Sequence, residues 1–321
     1  MKMNNERQSR LVLWLLVAGL LLGLVAHDAD GDTIWVDWTY TLPDANGTEA
    51  KPFETINAGI VNALSGDTVQ VKPGVYEENV FIDNHLTLLG TGPDTTVIKG
   101  LTDNAITIEA NYNVTIKNFT VTGAVSGILV NECSSEVSIV LKNIVAVANA
   151  SYGFYQSSGC DAAVAGTNCT FAGNGTSGVK ANNRSVFTNC IATTNASRGF
   201  LGQGYNNYVA VRYSNSWNNI SNYQDVSSAN NLDPVDPEYV DADTGDYRLL
   251  STSPCRNAGT PDQADRNPDG SRNDMGAYGG PGAAGFYDGY GTGPVVTDLH
   301  VTPGSVPQGD TVNITATGTA L

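Results

Sequence analysis

The sequence predicts an all-β chain wound as a right-handed parallel β-helix, and three observations carry that expectation. A local pattern anchored on asparagine recurs as KNFTV (Asn118), KNIVAV (Asn143), TNCTF (Asn168), TNCIA (Asn189) and SNSWN (Asn215), at spacings of 25, 25, 21 and 26 residues. A glycine followed by an apolar residue returns with the same period, as Gly127-Ile128, Gly153-Phe154, Gly178-Val179 and Gly199-Phe200. Around the anchors apolar and polar residues alternate: Val114 and Ile116 before the first, Phe119 and Val121 after it, Ile139 and Leu141 before the second, Ile144 and Ala146 after it. Alternation with period two marks half-buried strands. No segment between anchors is long enough for a crossover helix, so successive periods stack as coils. A leucine-rich repeat would need regular leucines, and a propeller blade about forty residues. The coil also gives a reason for 32 asparagines in 321 residues: asparagine tolerates left-handed turns, and the five anchors are expected to bond from coil to coil as an amide ladder.

The remaining elements follow in chain order. Lys2, Arg7 and Arg10 precede an uncharged, mostly apolar run from Leu11 to Ala26, so residues 1–26 are expected to be a secretory signal and the chain to be secreted or held at the cell surface. An amphipathic helix from about Phe53 to Leu64, with Ile56, Ile60, Val61 and Leu64 on one face, would close the open end of the first coil. The β-helix with its caps is expected over residues 33–281, its turn-rich C-terminal cap beginning near Asp233. A Gly-rich linker is expected over 282–294, and over 295–321 the start of an Ig-like β-sandwich.

Composition excludes several classes. Only 15% of residues are charged, which argues against a coiled coil or helical bundle. At 41% hydrophobic residues a core can form. The net charge of −16 repels nucleic acid and anionic membranes, leaving membrane attachment to the signal or to a C-terminal anchor. Five cysteines without metal-ligand spacing do not make a disulfide scaffold or a zinc site. Cys169 and Cys190 fall on the inward column of Phe119 and Ile144, where parallel stacked side chains are expected to stay reduced. Ten Asn-x-Ser/Thr sequons, among them those at Asn46, Asn113, Asn149, Asn174 and Asn195, are either glycan acceptors or a by-product of composition.

Two stretches resemble a known group. KPFETI, GDTVQVKPGVYEEN and LTLLG look like the helix start, first coil and second coil of the pectin-lyase-like β-helix proteins, and DYRLLSTSPCRNAG to DMGAYGG is similar to their closing segment. The resemblance spans about residues 33–281 and implies a right-handed parallel β-helix. The group includes pectate lyases, chondroitinase B and NosD-like proteins, and many surface proteins with no demonstrated activity, so it raises the prior on carbohydrate without naming a function.

Chemistry is sparse in the repeats. A lyase would gather carboxylates around Ca²⁺ opposite a Lys or Arg base, and a hydrolase would pair carboxylates. Seven residues before the anchors stand Asn111, Glu136, Asp161, Asn182 and Tyr208, an outward column with carboxylates on neighbouring coils. Glu136 and Asp161, with Arg184 and Arg212 expected on the same face, are the candidate Ca²⁺ or acidic-sugar site; a solvated column of turn residues is the alternative. Lys117 and Lys142 read as a surface pair. The acidic groups Asp28/Asp30/Asp32, Asp241/Asp243/Asp246 and Asp265/Asp269/Asp274 match no EF-hand loop. Tyr205, Tyr208, Trp217 and Tyr223 are candidate sugar platforms. No catalytic residue is assigned and Ca²⁺ is the only candidate cofactor. The expected function is a monomeric β-helix module that binds a polysaccharide or cell-surface glycan without catalysis. Its rivals are a polysaccharide lyase or glycoside hydrolase acting on acidic polysaccharide, and a purely structural stalk.

Overall fold

The computed structural model describes residues 31–109, 111–131, 134–203, 209–287, 295–302 and 313–319; the expected signal, 1–26, lies outside them. Among the described residues no helix is long and apolar enough to cross a membrane. The chain is an all-β parallel β-helix. One sheet stacks, in order, the strands Thr33–Val36, Thr68–Val71, Leu86–Leu89, Val114–Thr122, Ser138–Val147, Ala163–Thr167, Val186–Thr188, Ala210–Arg212 and Ser227–Ala229. A second stacks seven strands from Val80–Ile82 to Ser221–Gln224. All these pairings are parallel.

The core is the inside of the coil. Phe119, Ile144, Cys169 and Cys190 form one fully buried column, and Ile116, Leu141 and Phe187 another. Gly166 interrupts the second column because a Cβ there would lie 2.4 Å from the Phe187 ring. Phe187 meets Phe154, Phe171 and Phe200 at 5.8–6.1 Å across the interior. Cys169 and Cys190 are buried free thiols, and burial pushes the Cys190 thiol well above its ordinary range. Both should therefore resist thiol reagents in native buffer and react only on unfolding; rapid native labelling would contradict the packing. Cys160 is held in a disulfide.

The helix at the open end runs Ile56–Asn62, with the Thr55 hydroxyl accepting from the Ala58 amide. Ile56 and Ile60 are buried as expected, but Gly59 completes the face, where a Cβ would lie 2.7 Å from the Val36 side chain and 3.1 Å from that of Val69. Val61 and Leu64 point to solvent instead, at 82% and 55% exposure. The C-terminal cap also extends further than expected. Pro281–Ala283 form a 3-10 turn, Ala283 is buried and Phe286 packs on Tyr278 at 6.1 Å, so residues 282–287 belong to the cap rather than to a linker. The rest of the expected linker lies outside the described residues. Val295–Thr302 pairs antiparallel with Asn313–Thr319.

The asparagine anchors occupy one column only in part. Asn118, Asn143, Asn168 and Asn189 are in register, each with φ between 51° and 66°. Thr188 pairs with Arg212, which puts Tyr213 (φ 46°), not Asn215, in the fifth position. Asn215 pairs with Ile191, two residues along the coil. The SNSWN match looked like an anchor because two positions of slip keep the same inward alternation.

These anchors do not ladder with one another. Asn143 donates to the Ala277 and Gly279 carbonyls at 2.8 and 2.9 Å, Asn168 to Asp274 O and Asn273 Oδ1 at 2.7 and 2.9 Å, and Asn189 Oδ1 accepts from the Thr260 amide at 2.7 Å. They are grips that fasten the C-terminal cap along the side of the coils. The amide ladder lies six residues later. Asn149 Nδ2 donates to Asn174 Oδ1 at 3.0 Å, Asn174 to Asn195 at 2.9 Å and Asn195 to Asn219 at 3.0 Å. Asn149, Asn174 and Asn195 are at most 2% exposed, so these three sequons are the signature of the turn and not accessible glycan acceptors. Asn46 and Asn113 are exposed.

Candidate functional site

The expected carboxylate column is real as a register. Ser138 pairs with Ala163 and Ala165 with Val186, so Glu136, Asp161 and Asn182 follow one another from coil to coil. Glu136 and Asp161 are exposed, and Asp161 shares a shallow cleft with Ser158, Asn182, Asn183 and Gln203. Asn182 is buried, its Nδ2 donating to the Ser157 and Cys160 carbonyls. Arg184 reaches back across the coils to the Ser135 carbonyl, next to Glu136. Two open carboxylates fall far short of the 6–8 oxygens Ca²⁺ takes. Among the described residues no group of three His, Cys, Asp or Glu side chains is gathered as a metal site.

Arg212 does not join them. It pairs with Thr188 and thus continues the column of Lys117, Lys142 and Thr167, six positions along the coil from Glu136 and Asp161. The slip at SNSWN had misplaced it. Tyr205 and Tyr208 lie outside the described residues. Tyr223 stacks parallel on Phe200 at 5.8 Å and belongs to the core. The C-terminal acids are largely spent on local structure: Asp241 accepts from the Thr244 amide, Asp246 pairs with Arg248, and Asp269 accepts from Ser271. Asp274 is buried with its carboxylate on the Asn257 amide, and burial raises its pKa.

Trp217 leads elsewhere. It ends the strand Asn215–Trp217, in register with Thr193, at the edge where Gly173, Thr194 and Asn218 each take left-handed φ of 53–61° and turn the chain out of the sheet. Against this edge stands the antiparallel pair Tyr239–Asp241 and Asp246–Leu249. Between the two lies a cleft of 650 Å³ lined by Trp217, Tyr239, Tyr247, Thr193, Thr194, Asp236, Glu238 and Asp243, with Leu250 at its lip. That volume falls within the roughly 300–1,000 Å³ range of small-ligand clefts.

The cleft is aromatic on one wall and carries acidic side chains. Tyr239 and Tyr247 meet edge to face at 5.1 Å, and the Tyr239 hydroxyl lies 3.4 Å from Thr193 Oγ1. Burial pushes both phenols up, Tyr239 well above its usual range, so neither ionises readily into a base. Glu238 has a left-handed backbone (φ 53°) that the Asp236 carboxylate stabilises by accepting the Glu238 amide at 2.9 Å. Thr252 donates to Glu238 Oε2, leaving Oε1 for a ligand. Asp236 keeps its second oxygen and Asp243 is exposed. No Lys, Arg or His is among the described residues that line the cleft. Trp217 was legible as a candidate platform; its acidic partners were not, because they lie about twenty residues downstream on a non-repeating segment.

No family model matches the chain, and no curated protein matches it. Among solved structures, pectate lyase Pel9A is similar at 16% identity and a TM-score of 0.34, over 78% of this chain and 96% of that one. A rhamnogalacturonan lyase is similar at 14% identity and a TM-score of 0.35, over 59% of this chain and 69% of that one. The fold rests on the chain's own strand order, which is that of a parallel β-helix.

Proposed function

We propose that this β-helix is an exported module that binds a polysaccharide or cell-surface glycan in the Trp217 cleft and does not transform it. The observation that carries the reading is that one 650 Å³ cleft is lined by Trp217 together with Asp236, Glu238 and Asp243, an aromatic ring beside carboxylates that can accept hydroxyl protons. A sugar ring offers both complements, an apolar C–H face and a rim of hydroxyl donors. Elimination from a uronate would need a base opposite the sugar carboxylate and a cation to neutralise it. The cleft offers phenols held protonated and three acids that repel a uronate. Export rests on the basic and apolar N-terminal segment, residues 2–26.

Calorimetric titration with neutral, basic and acidic oligosaccharides tests the reading. At least one should bind, and Trp217→Ala should weaken it tenfold or more, about 1.4 kcal/mol. Binding indifferent to Trp217 would remove the cleft from the account. Release of an unsaturated uronate product, seen by its ultraviolet absorbance, would replace binding with elimination.

A further inference from the structure

Resting on the reading of the Trp217 cleft as a glycan site, we infer that its ligand class is an amino sugar chain: a glycan carrying free, protonated amines. Three carboxylates, Asp236, Glu238 and Asp243, line the cleft and no cationic side chain among the described residues lines it. Some acids elsewhere on the chain find cations, as Asp44 does with Lys51 at 2.8 Å, Glu77 with Lys99 at 2.8 Å and Asp37 with Lys72 at 3.5 Å, while Glu136 and Asp161 stand open outside any aromatic cleft. Here the carboxylates are instead oriented by uncharged donors, the Glu238 amide on Asp236 and the Thr252 hydroxyl on Glu238. That leaves their negative charge uncompensated at the mouth of an aromatic cleft, where low-dielectric walls concentrate the field. A neutral glycan would use the platform and the acceptors but not the charge. A uronate or sulfated chain would be repelled by it.

A protonated amine on a sugar ring satisfies both features at once. Its three N–H donors match carboxylate acceptors with charge-assisted hydrogen bonds. Its ring C–H face covers Trp217, and an ammonium near an indole face adds a cation–π attraction. A polyamine or a lysine-rich peptide carries the same charge without the rigid apolar face that the indole complements.

The test is calorimetry on the full chain with a β-1,4-linked glucosamine hexamer and its fully N-acetylated counterpart, which has the same backbone without the charge. The amine form should bind at least tenfold more tightly at low salt, and the advantage should shrink as salt screens the charges. The isosteric set Asp236→Asn/Glu238→Gln/Asp243→Asn should abolish the preference, lowering the affinity of the amine form far more than that of the acetylated hexamer. Because a chain of net charge −16 attracts any polycation, the matched control is Glu136→Gln/Asp161→Asn/Asp103→Asn, which removes three exposed acids outside the cleft and should leave the preference intact. Equal or tighter binding of the acetylated hexamer, still dependent on Trp217, would overturn the amino-sugar inference and keep the glycan reading. Loss of the preference in both variant sets would reduce it to bulk charge. Failure of both hexamers, with Trp217-independent capture of a lysine hexamer, would overturn the two together.

Discussion

Asn174→Ala should lower the free energy of unfolding by roughly 3–5 kcal/mol, the sum of four buried hydrogen bonds lost at about 1 kcal/mol each with partners left unsatisfied. The side chain accepts from the Asn149 amide and side chain at 3.2 and 3.0 Å, and donates to the Ala146 carbonyl and Asn195 Oδ1 at 3.1 and 2.9 Å. At 1% exposure no water replaces these partners. Asn174→Asp should be nearly as damaging, because a carboxylate accepts as the amide did but cannot donate to Ala146 and Asn195. Asn46→Ala, at an exposed sequon, should move the urea midpoint by less than about 0.5 kcal/mol equivalent. A loss at Asn174 as small as at Asn46 would mean the ladder decorates the coils without holding them.

The ladder also explains the glycine column that made the repeat visible. A Cβ at Gly153 would lie 2.7 Å from the Gly178 carbonyl oxygen and 3.0 Å from Asn174 Nδ2, and one at Gly178 would meet Asn195 Nδ2 at 2.9 Å. Glycine and asparagine therefore recur together, because the amide needs the space that a side chain would fill. The sequence holds this association as N-x-S/T-x-G in Asn149–Gly153, Asn174–Gly178 and Asn195–Gly199. Periodicity marked the anchor asparagines as the expected ladder, while Asn149, Asn174 and Asn195 were visible only as sequons. Which column bonds to itself depends on direction: the anchors at Asn143, Asn168 and Asn189 face outward and have a cap to hold, whereas Asn149, Asn174 and Asn195 turn under the coil edge and bond to one another and to the Val121, Ala146 and Phe171 carbonyls. The coils were legible because each is written in local alternation. The Trp217 cleft was not, because its second wall, Asp236 to Leu250, lies on a segment with no period to fix where it returns. Arg212 was misplaced for a related reason: the coil from Thr188 to Arg212 holds 24 residues, two fewer than the 26 between Asn189 and Asn215.

The second large effect is expected at Asn168, where backbone and side chain have separable jobs. Asn168→Ala loses the bonds to Asp274, Gly276 and Asn273 and also forces alanine into a left-handed backbone, φ 51°, at a cost of about 1–2 kcal/mol. Asn168→Gly loses the same bonds but accepts that φ freely. Glycine should therefore cost about 2–3 kcal/mol and alanine about 1 kcal/mol more. The damage should begin in the cap, since Met275 and Gly276 bond through their amides to the Cys255 and Asn189 carbonyls and are placed there by Asn168. Hydrogen exchange at Met275 and Gly276 should quicken in both variants, while exchange in the strand Tyr152–Gln156, bonded only to neighbouring coils, stays near its wild-type rate. The buried Cys255 thiol, which receives the Asn215 side-chain amide at 3.3 Å, should become open to labelling as the cap lifts, ahead of Cys169 and Cys190. Unchanged exchange at Met275 and Gly276 would show that the anchor asparagines are tolerated turn residues and that the cap is held by its own apolar contacts, Tyr278 and Phe286 on Val145, Val147 and Ala172.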